Sequence, residues 1–247
     1  EIGQLTAEFN RMTLQIKHLI DEVYLADIRN KELEIQRRNA QLHALESQIN
    51  PHFLFNALET IRMRSMMKQE TETARIIHNM AKLLRRSLSW KSDWVTLKEE
   101  IDLVISFLEI QKYRFGDKLS YRIDVADEAL GCRIPKMMLQ PLVENAITHG
   151  LEPKKGPWRL RVHIRLVGAS LHFVVEDNGV GMPEALRRRV LTEGPGADDR
   201  PFHTGIGLAN LRERIRLLYG LTDALRLDES EWGGLKVEVT LPADIRG

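Results

Sequence analysis

Apolar residues follow three different periods along the chain. Up to about residue 50 there is no proline and the only glycine is Gly3, while Ile28, Ile35, Leu42 and Ile49 recur every seven residues. A strict heptad places one stripe along a helix and winds it around a partner. The complementary seam is poor, because Lys31 and Arg38 fall on it before Leu45 restores an apolar residue. Ile16, Ile20 and Val23 follow another register, so the seam shifts between Val23 and Ile28. The expectation is a coiled coil that twists or slides easily, with a plain exposed amphipathic helix as the alternative.

Pro51 interrupts this pattern and is expected to kink the helix just before His52, since it lacks an N–H and crowds the preceding turn. Leu54, Leu58 and Ile61 then keep helical spacing and form a core stripe. His52 and Asn56, four apart, share a different face, which leaves His52 partly exposed. Ala74, Ile77, Ala81, Leu84 and Leu88 are spaced 3, 4, 3 and 4 and predict a second helix. Two such antiparallel helices cannot bury both stripes alone, but hairpins from two chains make a four-helix bundle. Leu97, Ile101, Val104 and Leu108 predict a third helix, with Thr96 as N-cap, Glu99 completing a capping box and Gly116-Asp117 ending it.

From Leu119 the period becomes two. Tyr121, Ile123 and Val125 alternate as in a strand. Pro135 is expected to open a helix over Lys136–Thr148, closed by Gly150. Arg161–Val167 and Leu171–Val175 alternate around Gly168-Ala169, a β-hairpin pattern. Met182–Thr204 is polar and longer than an ordinary connector, and is expected to be a mobile lid. Leu208–Tyr219 reads as a helix, and Leu225–Leu227 and Leu235–Val239 as strands around Gly233-Gly234. The fold class expected is α+β: a coiled coil and helical hairpin, then an α/β sandwich.

The bulk numbers add limits. The chain has 247 residues, enough for one large domain or two smaller ones, with 43% hydrophobic and 29% charged residues. Lys plus Arg is 36 against 35 acidic residues, a balance that gives no case for nucleic-acid binding. The single cysteine, Cys132, excludes an internal disulfide or a cysteine-rich metal site. No run approaches the ~18 apolar residues of a membrane helix. No stretch has the form of a signal peptide. The chain starts at Glu1 in mid-helix, the expectation for the soluble end of a longer protein.

Four stretches carry candidate chemistry. In Gln48–Asn56, His52 follows a proline and lies between two asparagines; alone, it fits a packed core histidine as well as a reactive group. In Glu144–His149, the Asn145 amide oxygen suits Mg²⁺, which keeps waters and bridges phosphates, although an ordinary helix position is the alternative. In Glu176–Pro183, Asp177 follows a strand and can accept a hydrogen bond from an exocyclic amine. Gly179 and Gly181 there let the backbone approach a ring, although a plain Asp-Asn-Gly turn looks the same. In Thr204–Asn210, glycines open a helix whose free N–H groups suit phosphate oxygens. That stretch is not the dinucleotide fingerprint, because Asn210 stands where the third glycine belongs and no strand precedes it.

Together, in this order, these stretches resemble sensor histidine kinases of the LytS/YesM type. NPHFLFN at 50–56 resembles the phosphoacceptor box, LQPLVENAITHG at 139–150 the N box, VEDNGVGMP at 175–183 and TGIGLANLRERIRLLYG at 204–220 the two glycine boxes. EIGQLTAEFNRM at 1–12 resembles the end of a HAMP domain. The resemblance implies His52 as the phosphorylated residue, Asn145 as Mg²⁺ ligand and Asp177 as adenine partner. It implies that Gly179, Gly181, Thr204, Gly205, Gly207 and Leu208 line an ATP pocket, with His149 and Lys154 as phosphate contacts. Arg114 is either a phosphate contact across domains or a solvated linker charge. The implied fold is a GHKL-type ATP-binding domain after a dimerisation bundle. The implied divisions are residues 1–16 (HAMP end), 17–46 (signalling helix), 47–116 (dimerisation and phosphoacceptor helices) and 117–247 (catalytic domain). The implied partners are a second copy of the chain and a response regulator receiver domain. Membrane anchoring would come through upstream segments, making the chain the cytoplasmic portion of a cell-membrane protein.

Two departures bear on mechanism. Common histidine kinases place an acidic residue after the histidine, where this chain has Phe53, so the base is open, with Glu59 as a candidate. The wider ATPase superfamily of gyrase, Hsp90 and MutL carries a water-activating glutamate where this chain has Pro141. That favours a kinase over an ATP-driven clamp, which stays as an alternative beside an ATP-binding scaffold without kinase activity. Asn56, beside His52, is placed to position a water for the reverse, dephosphorylating reaction.

Overall fold

The structure is a computed structural model; it describes residues 51–87, 93–192 and 206–243, and isolated helical positions at Met12, Arg29, Lys31, Leu33, Glu34 and Arg37. The heptad positions Ile28, Ile35, Leu42 and Ile49, the HAMP-like stretch, the kink before His52 and the Thr204-Gly205 pair lie outside the described residues. The chain divides into two compact units, residues 1–54 and 55–247. In the first, the isolated positions are all exposed.

Helix α1 spans Pro51–Met67 and α2 spans Thr71–Ser87. Between them Gln69 adopts φ 61, and Glu70 N–H donates to Ser65 C=O at 2.9 Å. Of the stripe predicted on α1, Ile61 is 51% exposed, whereas α2 buries Ala74, Ile76 and Ile77. The difference is geometric: α2 turns its stripe toward α3 (Leu97–Phe115), held by Arg75–Glu109 at 3.4 Å and by Lys82 Nζ donating to Asp102 C=O at 3.1 Å.

Short strands β1 (Trp94–Thr96) and β3 (Arg133–Pro135) pair antiparallel. The capping box between them and α3 forms as the sequence predicts: Glu99 N–H donates to Thr96 Oγ1 at 3.3 Å and Thr96 N–H to Glu99 Oε2 at 2.8 Å. Gly116, at φ 58, ends α3.

The main sheet contains β2 (Leu119–Val125), β4 (Trp158–Val167), β5 (Ser170–Asp177), β6 (Leu225–Glu229) and β7 (Leu235–Pro242). Its order is β2-β4-β5-β7-β6, with β2 and β4 parallel and the rest antiparallel. Alternation sets its faces: Val162 pairs with Val175 and Phe173 with Val239 on the buried side, while Arg161 and Glu176 meet on the other at 3.6 Å. Against the buried side pack α3, α4 (Gln140–Asn145) and α6 (Ile206–Tyr219), contributing Leu108, Val143, Leu211 and Ile215 to one core. The α+β sandwich is therefore as expected.

Two elements differ from the sequence reading. Pro135 ends a strand instead of opening a helix; α4 begins only at Gln140, runs six residues and continues as a π turn over Ala146–Leu151. The helix is interrupted at Met137, which sits at φ 58, a conformation no right-handed helix accommodates. The polar stretch expected as a lid contains helix α5, Glu184–Thr192, anchored by buried Val190. The rest of that stretch, 193–204, lies outside the described residues.

Candidate functional site

Asp177 is the last residue of β5 and is 2% exposed. Its Oδ1 accepts from Gly179 N–H at 2.7 Å and Leu235 N–H at 3.3 Å, while Oδ2 takes no hydrogen bond from the described residues. Burial pushes the carboxyl above its ordinary value of 3.8, opposed by these two donors and by Lys154 nearby. Asn178 fastens the turn that follows. Its Oδ1 accepts from Arg159 N–H at 2.8 Å, and its Nδ2 donates to Pro157 C=O at 3.1 Å.

The glycines here are required by space. A Cβ on Gly179 would overlap the Gly150 carbonyl, and one on Gly234 would overlap the Asp177 carbonyl. Gly181 takes φ 70, a conformation other residues enter at a cost of ~1–2 kcal/mol. Gly150, in the π turn, would place a Cβ 3.0 Å from Asp177 Oδ1. So the Asp-Asn-Gly turn, the π turn and the start of β7 pack backbone to backbone around one carboxylate.

Asn145, the final residue of α4, faces the start of α6. A Cβ on Gly207 would lie 2.9 Å from Asn145 Nδ2, and that nitrogen is buried without a hydrogen-bond partner. A buried unsatisfied amide calls for a ligand or ion. Which atom of the amide faces the open side is an assignment, so the site offers either a donor or a hard oxygen there. Asn145, His149, Asp177, Gly181 and Leu208 line one cavity, with Gly150, Met182 and Leu235 completing its wall. Three separate stretches thus converge. Gly150, Gly234 and Leu235 did not stand out in the sequence as site residues; the Gly233-Gly234 pair was the available signal and reads there as a turn.

The other predicted residues are placed differently. His52 and Asn56 are exposed on α1. Glu59 pairs with Arg62, whose Nε donates at 2.9 Å, and this bond holds its carboxyl below its usual range. A carboxylate so engaged is a poor base for His52. Lys154 Nζ donates to the Asn178 carbonyl, which fixes the turn instead of facing the cavity. Arg114 pairs with Glu152 at 3.1 Å. Thr204 and Gly205 lie outside the described residues. Among the described residues no group of three or more His, Cys, Asp or Glu could hold a metal, so a divalent ion here would rest on Asn145 and on phosphate oxygens.

Comparison with known proteins agrees with this arrangement. Residues 40–119 match the family Histidine kinase, and residues 133–245 match the family Histidine kinase-, DNA gyrase B-, and HSP90-like ATPase. The sensor histidine kinase YesM of Bacillus subtilis (strain 168) is 36% identical over 242 residues, 98% of this chain and 39% of that protein. The sensor histidine kinase YpdA of Escherichia coli (strain K12) is 36% identical over 220 residues, 88% of this chain and 37% of that one. The sensor protein LytS of Enterococcus faecalis is 28% identical over 243 residues, 96% of this chain and 40% of that one. The chain spans about two fifths of the length of these relatives. It belongs to the histidine kinase family, among relatives that include YesM and LytS, and carries both a histidine kinase region and the ATPase domain of that family.

Proposed function

We propose that this chain is the cytoplasmic portion of a membrane-anchored sensor histidine kinase that works as a homodimer in a two-component system. The observation that carries the reading is the convergence of Asn145, Asp177 and Leu208 on one cavity, with a buried amide lacking a partner and a buried carboxylate in the same wall. Asp177 Oδ2 accepts from the adenine amine, and Gly179 and Gly181 admit the ring. Asn145 and His149 face the phosphates, joined by Gly207 and Leu208 at the start of α6, and the sequence resemblance adds Thr204 and Gly205 to this group. Asn145 holds Mg²⁺, which offsets phosphate charge. An imidazole nitrogen of His52 attacks the γ-phosphorus; the P–N bond forms as the bond to the β-phosphate oxygen breaks, ADP leaves, and the ring proton passes to solvent. Positioning does most of the work. The phosphoryl group then moves to an aspartate of a response regulator receiver domain, and Asn56 positions water for the reverse reaction. In this scheme α3 serves two parts at once, following the phosphoacceptor hairpin while packing into the catalytic core.

The test is incubation with γ-labelled ATP and Mg²⁺ using wild type, His52→Ala and Asn145→Ala. Acid-labile, alkali-stable label in wild type alone is the expected outcome. Label retained by His52→Ala places the acceptor elsewhere. Phosphate release that survives His52→Ala, without protein label, marks a gyrase-like clamp; ATP binding with neither marks a scaffold.

A further inference from the structure

Helix α4 ends on Asn145, and in its own sequence only the proline in its first turn marks where it begins. Its N-cap position, Leu139, has no side-chain cap, and Pro141 supplies no N–H. The donors just ahead of it are instead taken by a residue of α3. Glu100 Oε1 accepts from Met137 N–H at 2.7 Å, and Glu100 Oε2 accepts from Met138 N–H at 3.1 Å and Leu139 N–H at 3.3 Å. Glu100 is 1% exposed. Burial pushes its carboxyl up, countered by the three N–H groups and by Arg86. Arg86 belongs to the last turn of α2; its Nη1 lies 3.8 Å from Glu99 Oε1, and its Nη2 is buried without a partner.

We propose that Glu100 is a positioning residue: by gripping the backbone at Met137–Leu139 it aims Asn145 at the nucleotide's phosphates. The inference rests on the nucleotide-site reading above and goes beyond it. A six-residue helix is about 9 Å long, so a shift at its start is carried undiminished to its last side chain. The π turn after Asn145 is packed backbone to backbone on the Asp177 loop. That leaves the start of α4 as the adjustable end. A glutamine at position 100 cannot replace the carboxylate, because its NH₂ would face at least one of the three main-chain donors. The adenine end of the pocket, built on β5 and β7, does not depend on this grip.

The test is titration of the full 247-residue chain with ADP, with and without Mg²⁺, for wild type, Glu100→Gln and Glu100→Asp, alongside their unfolding midpoints without nucleotide. The expected result for Glu100→Gln is Mg²⁺-free ADP affinity within about twofold of wild type while the Mg²⁺-dependent gain falls about tenfold, equivalent to ~1.4 kcal/mol. Glu100→Asp, which keeps the charge on an arm one methylene too short for all three donors, should move the same gain in the same direction, by about threefold, equivalent to ~0.65 kcal/mol. An unchanged Mg²⁺-dependent gain in either variant overturns the proposal. So does an equal loss with and without Mg²⁺, which is the mark of a purely structural role. If Glu100→Gln has no cooperative unfolding transition, Glu100→Asp decides by the same criterion. Absence of ADP binding by wild type sinks the nucleotide-site reading itself and takes this inference with it.

Discussion

Consider Asp177→Asn. The carboxylate is 2% exposed, and its Oδ1 is committed to Gly179 N–H at 2.7 Å and Leu235 N–H at 3.3 Å. An asparagine has one orientation that fits: its oxygen must face those two donors, because the flipped amide would set NH₂ against both. The NH₂ then occupies the Oδ2 position, where the adenine amine is expected to donate. Losing a hydrogen bond to a charged group costs ~1.5–3 kcal/mol, and leaving a buried donor unmatched adds ~1–3 kcal/mol. The sum is a loss of ADP affinity of about sixtyfold or more, at ~1.4 kcal/mol per factor of ten.

Stability should move the other way. Burial holds the Asp177 carboxyl above 3.8, so the folded state resists ionising it. For a group whose pKa rises on folding, the associated stability is fully present below the unfolded value and is lost as pH rises through the folded one. Asp177→Asn removes that loss. Its unfolding midpoint should match wild type near pH 4 and equal or exceed it at pH 7–8, at ~2–4 °C per kcal/mol for a chain of this size. Calorimetric titration with ADP and thermal unfolding across pH 4–8 read both halves. A variant that binds ADP within threefold of wild type, or melts several degrees lower at neutral pH without nucleotide, would falsify the account.

Three further substitutions test the site and its support. Gly179→Ala drives a Cβ into the Gly150 carbonyl, backbone against backbone; overpacking of this kind costs ~1–3 kcal/mol or more, visible as a lower urea midpoint together with lost nucleotide binding. Gly207→Ala should gain up to ~1 kcal/mol of helix propensity. Yet its Cβ lands 2.9 Å from Asn145 Nδ2, so an unchanged or raised melting temperature with weakened Mg²⁺-dependent ADP binding is expected. Thr96→Ala removes half of the capping box on α3 and should cost ~1 kcal/mol, read as a lower melting temperature with ADP affinity unchanged.

What was legible in the sequence had local causes. The capping box at Thr96 and Glu99, the alternation of β4 and β5 and the glycines around Asp177 each depend on residues within a few positions, and all appear where the pattern places them. The start of α4 does not depend on neighbours. Pro135 followed by helical spacing looks like a helix N-terminus, and only a carboxylate 37 positions earlier reveals why the backbone stays out of the helix until Gln140. The same holds for Leu235, whose N–H reaches Asp177 across 58 positions. Periodicity reports which face of an element is buried, and it is silent about which distant group satisfies a stray N–H. Buried main-chain donors must nevertheless be satisfied. Around this site the groups that satisfy them are Glu100 and Asp177, one on the helix that follows the α1–α2 hairpin and one at the floor of the cavity. The π turn over Ala146–Leu151 lies between those two anchors in the chain's path through the site, and neither anchor could have been assigned its task from the residues beside it.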